Sequence, residues 1–276
     1  MKLWYGSDLH ADFWDGKVKR FTDAVDIKAF DGFLFAGDVG EWRDPTGKTI
    51  MELCSDRGPV VFIPGNHEFY GMEVTRALDG MLDFPFASCL IKDVYDLPDL
   101  KVRIWGDTLW TNFGRNLDNM AEAGRRMNDY NSILYNRGWA DVFLKPEDTA
   151  QWNEIARTAL IKAARSVPEG WRFIVMTHHA PTFLSIAKAY RAPTYMEKAR
   201  INAAYANDMF GWMAANGVVP DVWIHGHIHE RANYEIEIEG KVCRVVSNPY
   251  GYPDEIPTKG FGSHYLEILE DRIVVV

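Results

Sequence analysis

Five times along this chain a short apolar run stops at a polar cluster built from Asp, Asn, His and Gly, and that repetition narrows the fold more than any other feature. Residues 3–5 lead into SDLH, 33–36 into GDVG, 60–63 into PGNHE, 173–176 into THHAP and 222–224 into HGHIH. Each run has the length of a buried strand and ends on residues that favour turns. The intervening stretches 17–30, 47–57 and 151–165 suit helices. In the last of these, Trp152, Ile155, Ala159 and Ala163 fall near one face and predict an amphipathic helix. Strand–helix alternation of this kind predicts an α/β fold. Two hairpins close the chain, 234–238 with 242–246 around Glu239-Gly240, and 265–269 with 273–276 around a short acidic turn.

In an open α/β sheet the loops at the carboxyl ends of strands converge on one crevice, so clusters far apart in sequence can meet. The clusters contribute Asp8, His10, Asp38, Asn66, His67, His178, His227 and His229. Five of the eight histidines are among these positions, His179 and His225 adjoin them, and His264 alone stands apart. Carboxylate oxygen mixed with imidazole nitrogen suits Mn, Fe, Co, Ni or Zn better than Mg or Ca, which prefer oxygen alone. One aspartate can bridge two such ions at about 3.5–4 Å, the separation that clamps both oxygens of an in-line displacement. Gly37, Gly65 and Gly226 let the backbone turn sharply beside these donors.

Composition removes several alternatives. A chain of 276 residues, 47% of them apolar, can bury a substantial core. No run nears the roughly 18 apolar residues of a membrane span. The opening MKLWYGSDLH lacks a secretory pattern, so a cytoplasmic protein is expected. Cys54, Cys89 and Cys243 are too widely spaced for a zinc knuckle and are expected to be reduced and buried. Thirty basic against 39 acidic residues give a charge of −9, which repels a long polyanion. Bound cations would reverse that sign locally and leave a small phosphoester, or a single phosphate-bearing group, as the expected partner. Residues 108–148, rich in Asn, Arg, Trp and Tyr, show no long apolar period and are expected to form an insertion or cap over the site.

D-x-H, G-D, G-N-H-E, a later His and G-H-x-H, in this order from residue 8 to 229, resemble the calcineurin-like metallophosphoesterase family. The resemblance implies a four-layer α-β-β-α sandwich, here as one domain over residues 1–276. It implies that Asp8, His10 and His229 bind a first metal and Asn66, His178 and His227 a second. Asp38 would bridge the two, and His67 would lie beside them without ligating. TLWTNF (108–113), MNDY (127–130), HHAP, WIHGHIH and NPYGY (248–252) look like a bacterial and phage subgroup loosely described as protein phosphatases.

The expected activity is hydrolysis of phosphoric mono- or diesters with two divalent transition-metal ions, manganese foremost and iron, zinc, nickel or cobalt as alternatives. A shared water, its pKa lowered from 15.7 towards about 7, would supply a bridging hydroxide to attack phosphorus, with His67 assisting the leaving group. His179 stands as an alternative ligand to His178, Glu68 and His225 as supports, and Asp107 as either an added carboxylate or a turn cap. Of Arg115, Arg125, Arg126 and Arg137, which could pair with a phosphate, Arg126 is singled out together with Tyr130 as touching substrate. The competing reading is an inactive interaction module on the same fold, which would be expected to have lost ligands or His67.

Overall fold

The computed structural model describes residues 1–14, 16–191, 196–255 and 260–276. The apolar runs become the centres of two six-stranded sheets. In the first, β1 (Lys2–Gly6), β2 (Gly32–Ala36), β3 (Val60–Ile63) and β4 (Ser88–Cys89) run parallel. The second contains β5 (Asp93–Leu97) and β6 (Val102–Asp107), a pair the apolar pattern alone did not reveal. After the small hairpin of β7 (Leu134–Asn136) and β8 (Asp141–Phe143) come β9 (Arg172–Thr177), β10 (Val222–His225), β11 (Ala232–Ile238) and β12 (Lys241–Ser247). The C-terminal hairpin β13 (Tyr265–Ile268) and β14 (Ile273–Val275) returns to pair with β1, giving the orders β14-β13-β1-β2-β3-β4 and β11-β12-β10-β9-β6-β5.

The layers follow from the two-residue period of a strand. Leu3 and Tyr5 on β1, Leu34 and Ala36 on β2, and Val61 and Ile63 on β3 face Ile104, Ile174, Met176 and Ile224 of the other sheet. Their neighbours Trp4, Phe33, Phe35 and Phe62 point the opposite way. They pack on α1 (Lys19–Ala24) and α2 (Pro45–Ser55) through Phe21, Ile50, Met51 and Cys54. On the far side Trp105, Val175, Trp223 and Val245 meet Ala156, Leu160 and Met213. The architecture is the α-β-β-α sandwich.

Further helices are α3 (Val74–Leu82), α4 (Leu117–Arg126), α5 (Asp129–Ser132), α6 (Pro146–Arg165), α7 (Lys188–Arg191), α8 (Met196–Tyr205) and α9 (Phe210–Asn216). Helix α6 begins five residues earlier than its apolar pattern suggests, because Pro146 opens it and Asp148 accepts the Lys145 N–H. Its buried stripe also differs from the expected one. Thr149, Asn153, Ala156, Leu160 and Ala163 face inward, while Ile155 is 50% exposed. Three polar residues, Thr149, Asn153 and Arg157, are buried on the helix, and the true face lies about one position, roughly 100°, from the expected one.

The β11–β12 turn is as read: Glu239 and Gly240 both have positive φ, the conformation of a tight hairpin turn. Cys54 and Cys243 are buried, Cys89 is partly so, and all three are free thiols. Among the described residues no helix is long and apolar enough to cross a membrane.

Candidate metal centre

Every one of the clustered polar residues follows the carboxyl end of a parallel strand: Asp8 and His10 after β1, Asp38 after β2, Asn66 and His67 after β3, His178 after β9, His227 and His229 after β10. The two sheets bring these ends to one edge of the sandwich. Five of them, Asp8, His10, Asp38, His227 and His229, have φ between 45° and 69°, the left-handed region that side chains other than glycine avoid. Each costs on the order of 1 kcal/mol, and such strain persists where surrounding contacts enforce it. Those contacts are visible. Asp8 N–H donates to Gly37 O and His10 N–H to Asp38 O, both at 3.0 Å, and His227 N–H donates to the Asp8 carboxylate at 2.9 Å.

Glu68 supplies a second anchor. Its carboxylate accepts N–H groups from Asp38 at 3.0 Å, Val39 at 2.7 Å and Gly65 at 2.6 Å, tying the β2 and β3 loops together. It is a structural support, not a donor to the cleft. The loops approach so closely that a Cβ at Gly37 would lie 2.4 Å from His178 Nδ1 and one at Gly65 2.1 Å from Asp38 Oδ1. Glycine is required at both places.

The donors then crowd together. His178 Nδ1 sits 2.9 Å from Ala36 O, so its N–H donates there and Nε2 turns to Asp38 Oδ2 at 3.2 Å and Asn66 Oδ1 at 3.1 Å. Asn66 cannot offer its NH₂ instead, because that group donates to Asp129 Oδ1 at 2.9 Å and Tyr70 Oη at 3.0 Å. A nitrogen lone pair and two oxygens therefore converge, which repels unless a proton or a cation lies among them. Burial would lower the His178 pKa, but the Asp38 and Asp8 carboxylates outweigh it and push it up to about 10.

The same logic holds on the other side. His229 Nδ1 contacts Glu255 at 2.7 Å, and its Nε2 faces Asp8 Oδ1 at 3.4 Å and His10 Nε2 at 3.0 Å. Burial is again overridden, here by Asp8 and Glu255, and the imidazole is raised to about 9. Burial holds His10 at about 3 and His227 well below the ordinary range, so both present neutral nitrogens. His227 Nε2 is buried without a hydrogen-bond partner. Three groups with mutual donor distances within 4.8 Å result: Asp8–His10–His229, His10–Asp38–His67 and Asp38–His178–His227. This set of imidazoles, carboxylates and one fixed amide oxygen fits divalent transition metals.

His67 lines the adjoining cavity, of about 280 Å³, with Asp38, Asn66, Tyr70, Arg126 and Tyr252. Its ring stacks on Tyr70 at 4.3 Å, and its Nε2 meets the Tyr252 hydroxyl at 3.0 Å. Of the paired histidines, His178 faces Asp38, whereas His179 contacts Thr108 O through Nδ1 at 3.3 Å and packs against Trp110. His225 points to Ser185 Oγ at 2.8 Å. Asp107 caps a turn through Leu109 N–H and pairs with Lys92 at 3.3 Å.

Arg126 reaches the cavity from the end of α4, ion-paired to Glu122 at 3.0 Å. Tyr130 does not line it: the side chain is buried and its hydroxyl meets Thr149 Oγ1 at 3.1 Å. The tyrosines lining the cavity are Tyr70, Tyr205 and Tyr252, none of which the residue pattern singled out. MNDY and NPYGY pointed to the right segments, through Asp129 and Tyr252, but nothing in their spacing revealed a chemical part. Arg115, Arg125 and Arg137 are engaged with Glu154, Glu122 and Asp148 and do not line the cavity.

Fold and site together define a hydrolase-type metal centre at the strand ends of an α-β-β-α sandwich. The family model for calcineurin-like phosphoesterases matches residues 1–231, spanning every donor above, and the chain belongs to that family. Among solved structures, phosphopantetheinyl hydrolase from Mycobacterium tuberculosis aligns with a TM-score of 0.61 at 18% identity, covering 91% of this chain and 90% of its own. GAP50, the anchor in the inner membrane complex of Plasmodium, aligns at 0.46 and 12% identity over 100% of this chain and 83% of its own. Comparison with curated proteins gives no match.

Proposed function

We propose that this chain hydrolyses small phosphoric esters with two divalent cations, manganese foremost and iron, zinc, nickel or cobalt as alternatives. Asp8, His10 and His229 would hold one cation, Asn66, His178 and His227 the other, and Asp38 would touch both. The observation that carries the reading is the approach of Asp38 Oδ2 and Asn66 Oδ1 to His178 Nε2, at 3.2 and 3.1 Å, with His178 Nδ1 and the Asn66 NH₂ turned to other partners.

When bound, the cations supply positive charge to the phosphoryl oxygens and acidity to a coordinated water. The residues do the rest. Asp38, holding its backbone through Glu68, fixes the spacing of the two halves of the site. His67 donates a proton to the departing oxygen, and Tyr70 and Tyr252 hold its ring in place. Residues 108–148 act as a cap that brings Arg126 to the phosphate.

The test is hydrolysis of bis(p-nitrophenyl) phosphate by protein stripped with a chelator and then titrated with Mn. Activity should vanish on stripping and return as two ions bind per chain. Full turnover by the stripped protein would overturn the reading.

A further inference from the structure

Beside the metal cavity lies a second and larger one, of about 540 Å³. The two share Arg126, Met127, Tyr205, Ile228 and Glu255 along their common wall. Beyond that wall the lining changes character, to Ile186, Ala187, Tyr190 and Ile201, with Asn202 and Glu230. The loop after β10 makes both surfaces at once. His227 and His229 face the first cavity, while Glu230 lines the second and Ile228 lies between the two.

Size gives the chamber a meaning. Sites for drug-sized molecules run from about 300 to 1,000 Å³, so the metal cavity accommodates little beyond a phosphoryl group and its ligands, whereas the second can take a whole organic arm. Position points the same way. By contrast, the cavity beside Gly71 has Tyr70 in common with the metal cavity, and the one beside Trp110 shares none of its described lining residues. Charge narrows the occupant further. Among the described lining residues Arg126 is the one cation, already paired with Glu122, and it is set against Glu230 and Glu255. A second phosphate or a carboxylate on the arm would meet two carboxylates.

We infer that the substrate of this site is a phosphoester bearing one extended, uncharged and largely apolar or aromatic arm, which lies in the chamber between α7, α8 and the end of α4. The inference rests on the phosphoesterase reading above. It excludes phosphoesters whose arm carries further anionic groups and those with no arm beyond a methyl.

The experiment uses the full chain loaded with Mn. In one arm, p-nitrophenyl phosphodiesters share a leaving group and differ in the second substituent: methyl, phenyl, naphthyl and carboxymethyl. In the other, calorimetry compares binding of methylphosphonate and naphthylphosphonate, so that affinity is read without turnover. Burying an aromatic group should raise both kcat/KM and affinity by about tenfold or more over methyl, and the carboxymethyl ester should be the poorest. Ile201→Glu should collapse the naphthyl-to-methyl ratio towards one, with metal content measured on the same sample. Ile201→Phe, which keeps the surface apolar, should preserve a preference for the larger arm. If every diester turns over alike and both phosphonates bind alike, the chamber is not a substrate site and this inference fails while the hydrolase reading stands. If no diester or monoester is hydrolysed by protein holding two ions, the hydrolase reading itself fails.

Discussion

Asn66 donates its side-chain NH₂ to Asp129 Oδ1 at 2.9 Å, and this single contact decides which end of the Asn66 amide faces His178. Asp129 Oδ1 is the acceptor of this bond, so reversing the amide would set oxygen against oxygen. Tyr70 Oη closes the triangle, donating to the same Asp129 oxygen at 2.7 Å. Asp129→Ala should therefore weaken binding of the cation assigned to Asn66, His178 and His227 by about 10–100-fold, the usual effect of removing a group that orients a ligand. Asp129→Asn, which still offers an oxygen, should recover part of the loss. Metal titration read by calorimetry checks this, and equal affinities in wild type and Asp129→Ala would show that Asn66 is held by other means.

Protons should compete with metal uptake in a defined direction. In the metal-free protein His178 is raised to about 10 and His229 to about 9, so both carry protons at neutral pH. Histidines raised in this way stabilise the fold fully below about pH 6.5, the unfolded value, and that contribution is lost as pH rises through 9 to 10. Metal binding must displace the same protons, so affinity should increase from pH 7 towards 9. Calorimetry in buffers of different ionisation enthalpy should find one to two protons released per pair of ions. No release would mean that these imidazoles stay protonated and do not ligate.

His67→Ala should lower turnover by about 10²–10⁴, the usual contribution of a general acid, with both ions retained. The loss should be smallest for nitrophenolate and largest for alkoxide leaving groups, which need the proton more. Tyr252→Phe, removing the hydroxyl 3.0 Å from His67 Nε2, should produce a weaker form of the same pattern. Rates on two diesters differing only in leaving-group pKa decide the matter, and an equal loss on both would contradict a proton-donating role.

Arg126 and Tyr130, which flank Met127-Asn128-Asp129, should respond differently. Arg126 lines the cavity, and Arg126→Ala should shift relative activity among phosphoesters while leaving metal content unchanged. Tyr130→Phe removes only a buried hydroxyl contact with Thr149 and should cost about 1 kcal/mol of stability, with substrate preference intact. Thermal unfolding and a substrate panel on both variants test this. A change in preference from Tyr130→Phe would show that its side chain reaches substrate.

The parts of this molecule that were legible in the sequence are those where one physical requirement dominates. A strand buried on both faces must be apolar throughout, and β1, β2, β3, β9 and β10 stand out for that reason. Asp, Asn and His placed directly after such strands are readable as candidate metal donors, so the side chains that converge in the cleft were visible. What surrounds them was not. Asp129, Tyr252 and Glu255 reach the centre from loops and short helices whose placement depends on tertiary packing. Strand β5 is partly exposed and carries Asp93 and Asp96 among Val94, Tyr95 and Leu97, which left it without a continuous apolar run. On α6, buried Asn153 and Arg157 share the Asn207 side chain as partner, and polar residues inside a helix face hide its phase.

The central claim is that Asp38 sits between two cations. Crystals of the Mn-loaded protein, measured at a wavelength where Mn scatters anomalously, test it most directly. Two anomalous peaks about 3.5–4 Å apart are expected, both within ligand distance of Asp38, one beside Asp8, His10 and His229 and the other beside Asn66, His178 and His227. One peak alone, or two peaks of which either lies out of reach of Asp38, would contradict it.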